Sequence, residues 1–130
     1  MPDEALTPAQ LFNVEGLTAV VTGGASGIGF AYAEAMADNG AYVALFDRDR
    51  DALDRADARL AARGARIDTY AVDVTDRAEL DRALADTAQR SGRLDVVFAN
   101  AGITAGPGFL TVEGKRDPAG AIENIPFELW

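Results

Sequence analysis

The sequence predicts an α/β protein, a doubly wound sheet of parallel strands with helices on both faces. Three observations lead there. Four short apolar runs carry little or no polar alternation, which is how strands of a buried parallel sheet read. Helical spacing separates each run from the next, over segments long enough for parallel crossovers, which are right-handed in nearly all cases. The runs stop on small or acidic clusters: Thr22-Gly23-Gly24, Asp47, Asp73 and Asn100-Ala101-Gly102.

The elements follow in chain order. Residues 1–15 read as a lead-in, with Pro2 and Pro8 breaking helix and only Leu11, Phe12 and Val14 expected to be buried. Leu17 to Val21 is the first strand. Gly27 to Asn39 is a helix whose buried face is expected to hold Ile28, Ala31, Ala35 and Met36, with Gly40 as its C-cap. Ala41 to Phe46 is the second strand, stopping at Asp47. Arg50 to Arg63 is a surface helix with the stripe Leu53, Ala56, Leu60, ended by Gly64. Arg66 to Val72 is the third strand, stopping at Asp73. Asp76-Arg77-Ala78-Glu79 has capping-box spacing and opens a helix lined by Leu80, Ala83, Leu84 and Ala88, closed by Gly92. Leu94 to Ala99 is the fourth strand. Residues 103–126 hold glycines, prolines and scattered charges without a period, so a long loop is expected. Residues 127–130, after Pro126, look like the first turn of another helix.

The 130 residues fit one domain, since domains commonly run to about 100–150 residues. Hydrophobic residues at 48% and charged residues at 25% exclude wholesale disorder. Cysteine and histidine are both absent, which excludes disulfides, thiolate or histidine metal sites and a Ser-His-Asp triad. No metal site is expected. The net charge of −9 argues against a nucleic-acid or anionic-membrane surface, because phosphate binding of that kind needs clustered positive charge. No apolar run reaches the length of a membrane helix and the acidic N-terminus lacks signal-peptide features, so a cytoplasmic location is expected.

Any phosphate must then be held by backbone N–H groups or helix ends. Thr22-Gly23-Gly24-Ala25-Ser26-Gly27-Ile28-Gly29 offers such a place between a buried strand and an alanine-rich helix. Glycines let the backbone approach a ligand, and the helix N-terminus supplies free donors and a partial positive charge. Ser26 adds a hydroxyl donor. The spacing is G-x-x-x-G-x-G, neither the commonest dinucleotide fingerprint nor a P-loop, and a ligand-free turn is the alternative. Asp47 favours the ligand. It follows Gly29 by 18 residues, at a second-strand end, where a dinucleotide fold places the acid that binds the adenosine ribose. There it favours NAD over NADP, since a 2′-phosphate about 4 Å from a carboxylate meets repulsion of a few kcal/mol. Arg48 is the counter-indication, because an arginine beside the ribose can accept that phosphate; it is expected along the adenine face or in solvent. Asp47 read alone also suits a helix N-terminus before Arg50. Asp73 and Val74 can meet the adenine edge, or Asp73 can join Asp76 in capping the next helix. Asn100 can tie strand ends together, reach the nicotinamide-side ribose, or belong to an ordinary turn.

Together these residues resemble the short-chain dehydrogenase/reductase family. The resemblance rests on Thr22-Gly23 with Gly27-Ile28-Gly29, on Asp47, on Asp73-Val74, and on Phe98-Ala99-Asn100-Ala101-Gly102, and covers about Leu11 to Gly102. It implies a Rossmann-type sheet, here the first four strands and three helices plus a long loop. It further implies an NAD-dependent oxidoreductase that interconverts a small alcohol and a carbonyl, assembled as a homodimer or tetramer. By resemblance, Gly23, Ser26, Gly27, Ile28 and Gly29 hold the pyrophosphate side, Asp47 the ribose, Asp73 and Val74 the adenine, and Asn100, Ala101 and Gly102 the nicotinamide side.

The family's catalytic Asn, Ser and Tyr-x-x-x-Lys have no counterpart here. Tyr32, Tyr42 and Tyr70 are followed four residues later by Met36, Phe46 and Val74, and the single lysine is Lys115. The chain alone is therefore expected to be inactive, the catalytic groups lying beyond Trp130 in a longer protein. Two other readings stay open. One is a non-enzymatic NAD-binding or partner subunit complete at this length. The other is an S-adenosylmethionine methyltransferase, which also carries acids after its second and third strands.

Overall fold

Four parallel strands, β1 Thr18–Thr22, β2 Tyr42–Asp47, β3 Arg66–Ala71 and β4 Val96–Phe98, form one sheet in the order β3-β2-β1-β4. The description comes from a computed structural model and covers residues 6–103, 113–116, 118 and 124. The expectations for the helical turn at 127–130 and for most of the loop 103–126 lie outside the described residues.

The helices among the described residues are α1 Pro8–Leu11, α2 Gly27–Asp38, α3 Arg50–Ala61 and α4 Arg77–Ser91. Strands β1 and β2 are rich in β-branched and aliphatic residues, and their alternate side chains are buried on opposite faces. Ala19, Val21, Val43 and Leu45 pack with Phe30 and Ala33 of α2 and with Leu53 and Leu60 of α3. Val20, Ala44 and Phe46 pack on the other face with Val72 and with Ala83 of α4. The central strands β1 and β2 are therefore covered on both sides, as doubly wound order requires.

In register, Thr18 to Thr22 pair with Tyr42 to Phe46, and Ala19 to Val21 pair with Val96 to Phe98. Strands β2 and β3 extend one way from β1, and the chain then returns to its other side for β4. That reversal opens a crevice at the carboxyl ends of β1 and β4, the place where ligands bind in sheets of this kind.

Several expectations need correction. Pro8 starts a helical turn instead of breaking one. It occupies the first turn, where its missing N–H is no loss, and Thr7 and Gln10 cap that turn reciprocally. Leu11 and Phe12 are exposed, and only Val14 packs against the core. Helix α2 is rotated from the expected phase: Gly29, Phe30, Ala33, Met36 and Ala37 face inward, while Ile28, Ala31 and Ala35 are exposed. It is apolar nearly all round, so periodicity could not fix its orientation. In α4 the expected face holds, with Ala83 buried and Leu80 and Leu84 packed against the core, and Thr87 joins it, fully buried and donating its hydroxyl to the Ala83 carbonyl at 2.8 Å. Strand β3 is a half-exposed edge, and β4 pairs over Val96–Phe98 only.

Candidate functional site

The turn from β1 to α2 is shaped by close approach of backbone to backbone. Gly29 sits against the end of β1. A Cβ there would lie 2.2 Å from the Gly23 carbonyl oxygen and 2.5 Å from Nδ2 of Asn100, so no side chain fits. Gly27 has a φ of 56°, a left-handed conformation that other residues adopt at a penalty. Ser26 is the N-cap of α2 but makes no side-chain capping bond, which leaves its hydroxyl available at the rim. The first N–H groups of α2 have no carbonyl one turn earlier to bond, so they point outward with the positive end of the helix dipole. The exposed Ile28 can offer this site only its backbone.

Asp47 ends β2 beside that turn. One carboxylate oxygen accepts the Ala25 N–H at 3.2 Å and the other accepts the Asp49 N–H at 3.1 Å. These bonds fix the carboxylate against the glycine turn and leave lone pairs for a diol. The cap of α3 is Asp49, which accepts the Ala52 N–H at 3.0 Å, so Asp47 does not serve that helix. Likewise Asp76 caps α4, accepting the Glu79 N–H at 2.9 Å. Asp73 instead folds the turn before it. Its Oδ1 accepts the Thr75 N–H at 2.9 Å and the Thr75 hydroxyl at 2.7 Å. Those two bonds, with a smaller contribution from the Arg48 guanidinium, hold the Asp73 carboxyl below its ordinary value. Arg48 is exposed, on the Asp73 side of the crevice.

Asn100 ties strand ends together. Its Nδ2 donates to the Thr22 carbonyl at 3.1 Å and to the Gly23 carbonyl at 3.4 Å. Thr22 completes the knot: its hydroxyl oxygen accepts the N–H groups of Asn100 and Ala101 at 3.1 and 3.0 Å and donates to the Phe98 carbonyl at 3.3 Å.

The result is a cleft of ≈ 420 Å³ at the carboxyl ends of the strands. Gly23, Ser26, Asp47, Arg48, Asp73, Val74, Asn100, Ala101 and Gly102 all line it. Gly27, Ile28 and Gly29 do not; they shape the helix start behind Ser26. Phe46 and Val72, both nearly fully buried, and Thr75 also border the cleft and were not expected there. Phe46 and Val72 were signalled by position, each the last apolar residue before a strand-end acid. Thr22 was noted as part of the motif, but its bonding role was not foreseen, because its partners lie 76 to 79 residues away. The cleft can take an anion at the α2 N-terminus and a diol at Asp47, with the Asp73-Val74 turn at its far side.

Comparison with known proteins gives one family. The family model described as short chain dehydrogenase matches residues 17–116. A gluconate 5-dehydrogenase of Gluconobacter oxydans is 37% identical over 93 residues, which is 72% of this chain and 36% of that protein. A short chain dehydrogenase from Mycobacterium paratuberculosis, solved bound to NAD, superposes with a TM-score of 0.68 at 32% identity, over 72% of this chain and 39% of that one. A metagenomic short-chain oxidoreductase solved with NADP superposes with a TM-score of 0.65 at 32% identity, over 68% of this chain and 40% of that one. The chain thus spans less than half the length of these relatives. Among the described residues, no helix is long and apolar enough to cross a membrane.

Proposed function

This chain belongs to the short-chain dehydrogenase family, and from that membership we propose that its cleft binds NAD(H) in preference to NADP(H). The observation that carries the proposal is the placement of Asp47. Its carboxylate is pinned by the Ala25 and Asp49 N–H groups beside the glycine turn, where the 2′ position of an adenosine ribose is read. The residues fit the group. A Cβ at Gly23 or Gly29 would meet the protein's own backbone and Asn100, so glycine there lets α2 start close against β1, and the α2 N-terminus is a place for the pyrophosphate. Ser26 donates to that phosphate, with Gly27, Ile28 and Gly29 supplying the backbone start of α2. Asp47 accepts from the ribose hydroxyls. Asp73 accepts from the adenine amino group, Val74 offers its N–H to the ring, and Arg48 lies along the adenine. Asn100, Ala101 and Gly102 border the nicotinamide side.

When bound, the nicotinamide supplies hydride-transfer chemistry between an alcohol and a carbonyl. This chain's own residues bind and orient it. The family resemblance supports a small alcohol or carbonyl substrate and a homodimeric or tetrameric assembly, and the acidic sequence without a membrane-length apolar run supports a cytoplasmic location.

Calorimetric titration with NADH, NADPH and S-adenosylmethionine tests the reading. NADH is expected to bind at least about tenfold more tightly than NADPH, the direction set by repulsion between Asp47 and a 2′-phosphate. Asp47→Ser should narrow that gap. An unchanged NADH/NADPH ratio in the variant refutes the role of Asp47, and binding of S-adenosylmethionine alone refutes the cofactor.

A further inference from the structure

Glu79 sits in the first turn of α4, at the position from which a capping-box glutamate returns to the N–H of its own N-cap residue. Here it does something else. The N-cap Asp76 gives its N–H to the Asp73 carbonyl at 3.0 Å, and the Glu79 carboxylate reaches further back to accept the Asp73 N–H at 2.9 Å. Asp76 in turn accepts the Glu79 N–H at 2.9 Å, which closes a ring of hydrogen bonds around residues 73–79. Glu79 lies outside the cofactor cleft and lines a neighbouring groove along β3, whereas Asp73, Val74 and Thr75 line the cleft itself.

We propose that Glu79 is a positioning residue for the cofactor: by holding the Asp73 N–H from behind, it fixes the turn that presents Asp73 and Val74 to the adenine. The inference rests on the nucleotide reading of the cleft. A bond to an ionised acceptor is stronger than a neutral one. With Oδ1 of Asp73 bonded to Thr75 and its N–H bonded to Glu79, the other carboxylate oxygen keeps one direction. Without Glu79 the turn must be ordered at the moment of binding, and affinity falls by that amount.

The test uses the 130-residue chain with ADP-ribose, which carries adenosine and pyrophosphate without the nicotinamide. Glu79→Ala is expected to weaken ADP-ribose binding about five- to tenfold. It should also speed hydrogen exchange at the Asp73 amide while the β1 amides stay protected. Glu79→Gln keeps an acceptor oxygen without the charge and is expected to recover most of both readouts. Wild-type affinity in Glu79→Ala overturns the inference. So does a Glu79→Gln variant as weak as Glu79→Ala, which would mean that Glu79 acts by charge and not through the Asp73 bond. If the unaltered chain binds no ADP-ribose, the nucleotide reading itself fails; that outcome is distinct from loss of the Glu79 effect alone.

Discussion

Around Gly29 the cleft is shaped by side chains that are missing, and around Asp73 by side chains that bond. On the first bank, β1, α2 and the end of β4 approach so closely that a Cβ at Gly29 would stand 2.2 Å from a carbonyl oxygen. On the second, Asp73, Thr75, Asp76 and Glu79 hold an exposed turn through a chain of hydrogen bonds. The first bank depends mainly on sterics. The second depends on hydrogen-bonded carboxylates, among which Asp73 is held below its ordinary value by Thr75. A rigid wall beside a titratable turn suits a ligand whose charged middle needs one fixed place and whose flat end is recognised by direction.

The largest expected effect tests the steric bank. Gly29→Ala should destabilise the fold by about 3 kcal/mol, because the backbone carbonyl it meets cannot swing aside as a flexible side chain would. Urea denaturation reads this as a lower midpoint at unchanged slope. A wild-type midpoint would show that α2 can slide away from β1, and the contrast between the banks would disappear.

Thr22→Val comes next. It keeps the shape of the side chain but removes the acceptor for the Asn100 and Ala101 N–H groups. A loss of about 2 kcal/mol is expected, the range for leaving buried donors unpaired. Thermal unfolding measures it, and a change near zero would mean that water replaces the hydroxyl. Gly27→Ala should be milder, about 1 kcal/mol. Nothing lies within 4 Å of a Cβ at that position, and only its φ of 56° resists. Ranking Gly27→Ala above Gly29→Ala would reverse the steric argument.

The two banks also differ in how far the sequence disclosed them. Glycine spacing announces the first bank, since Gly23, Gly27 and Gly29 have few uses between a buried strand and a helix. Strand-end acids announce Asp47 and Asp73, because an apolar run that stops on Asp is a local pattern. What stayed hidden depends on which segments become neighbours. Thr22 bonds residues far along the chain, and its role appears only when β4 lies beside β1. Glu79 looks like half of a capping box and serves a different N–H. The orientation of α2 was hidden for another reason: an alanine-rich helix is apolar on most faces, so burial of Phe30 and exposure of Ile28 are decided by packing. Leu11 and Phe12 misled in the opposite direction, since an apolar residue in a short capped turn can remain exposed.

The smallest effect is a pH dependence confined to the second bank. Thr75, and to a lesser degree Arg48, hold the Asp73 carboxyl below its ordinary value in the folded chain. The unfolded chain therefore binds more protons in the interval between the two values. The stability contributed by this turn is complete above the unfolded value and is lost as pH falls through the folded one. Asp95 shifts in the same direction, held down first by Arg93 and then by the Thr18 N–H, so acid weakens both ends of the sheet together. Asp73→Asn separates them, because it removes one titration and leaves the other. The midpoint difference between wild type and Asp73→Asn should stay constant from about pH 7 to pH 5 and shrink below about pH 4, the ordinary range of an aspartate. The Arg48 contribution comes from exposed charges, so added salt should narrow the difference slightly, while the Thr75 bonds should persist. A difference that stays flat down to about pH 3 would mean that Thr75 does not hold the carboxylate, and the second bank would then be no more titratable than the first.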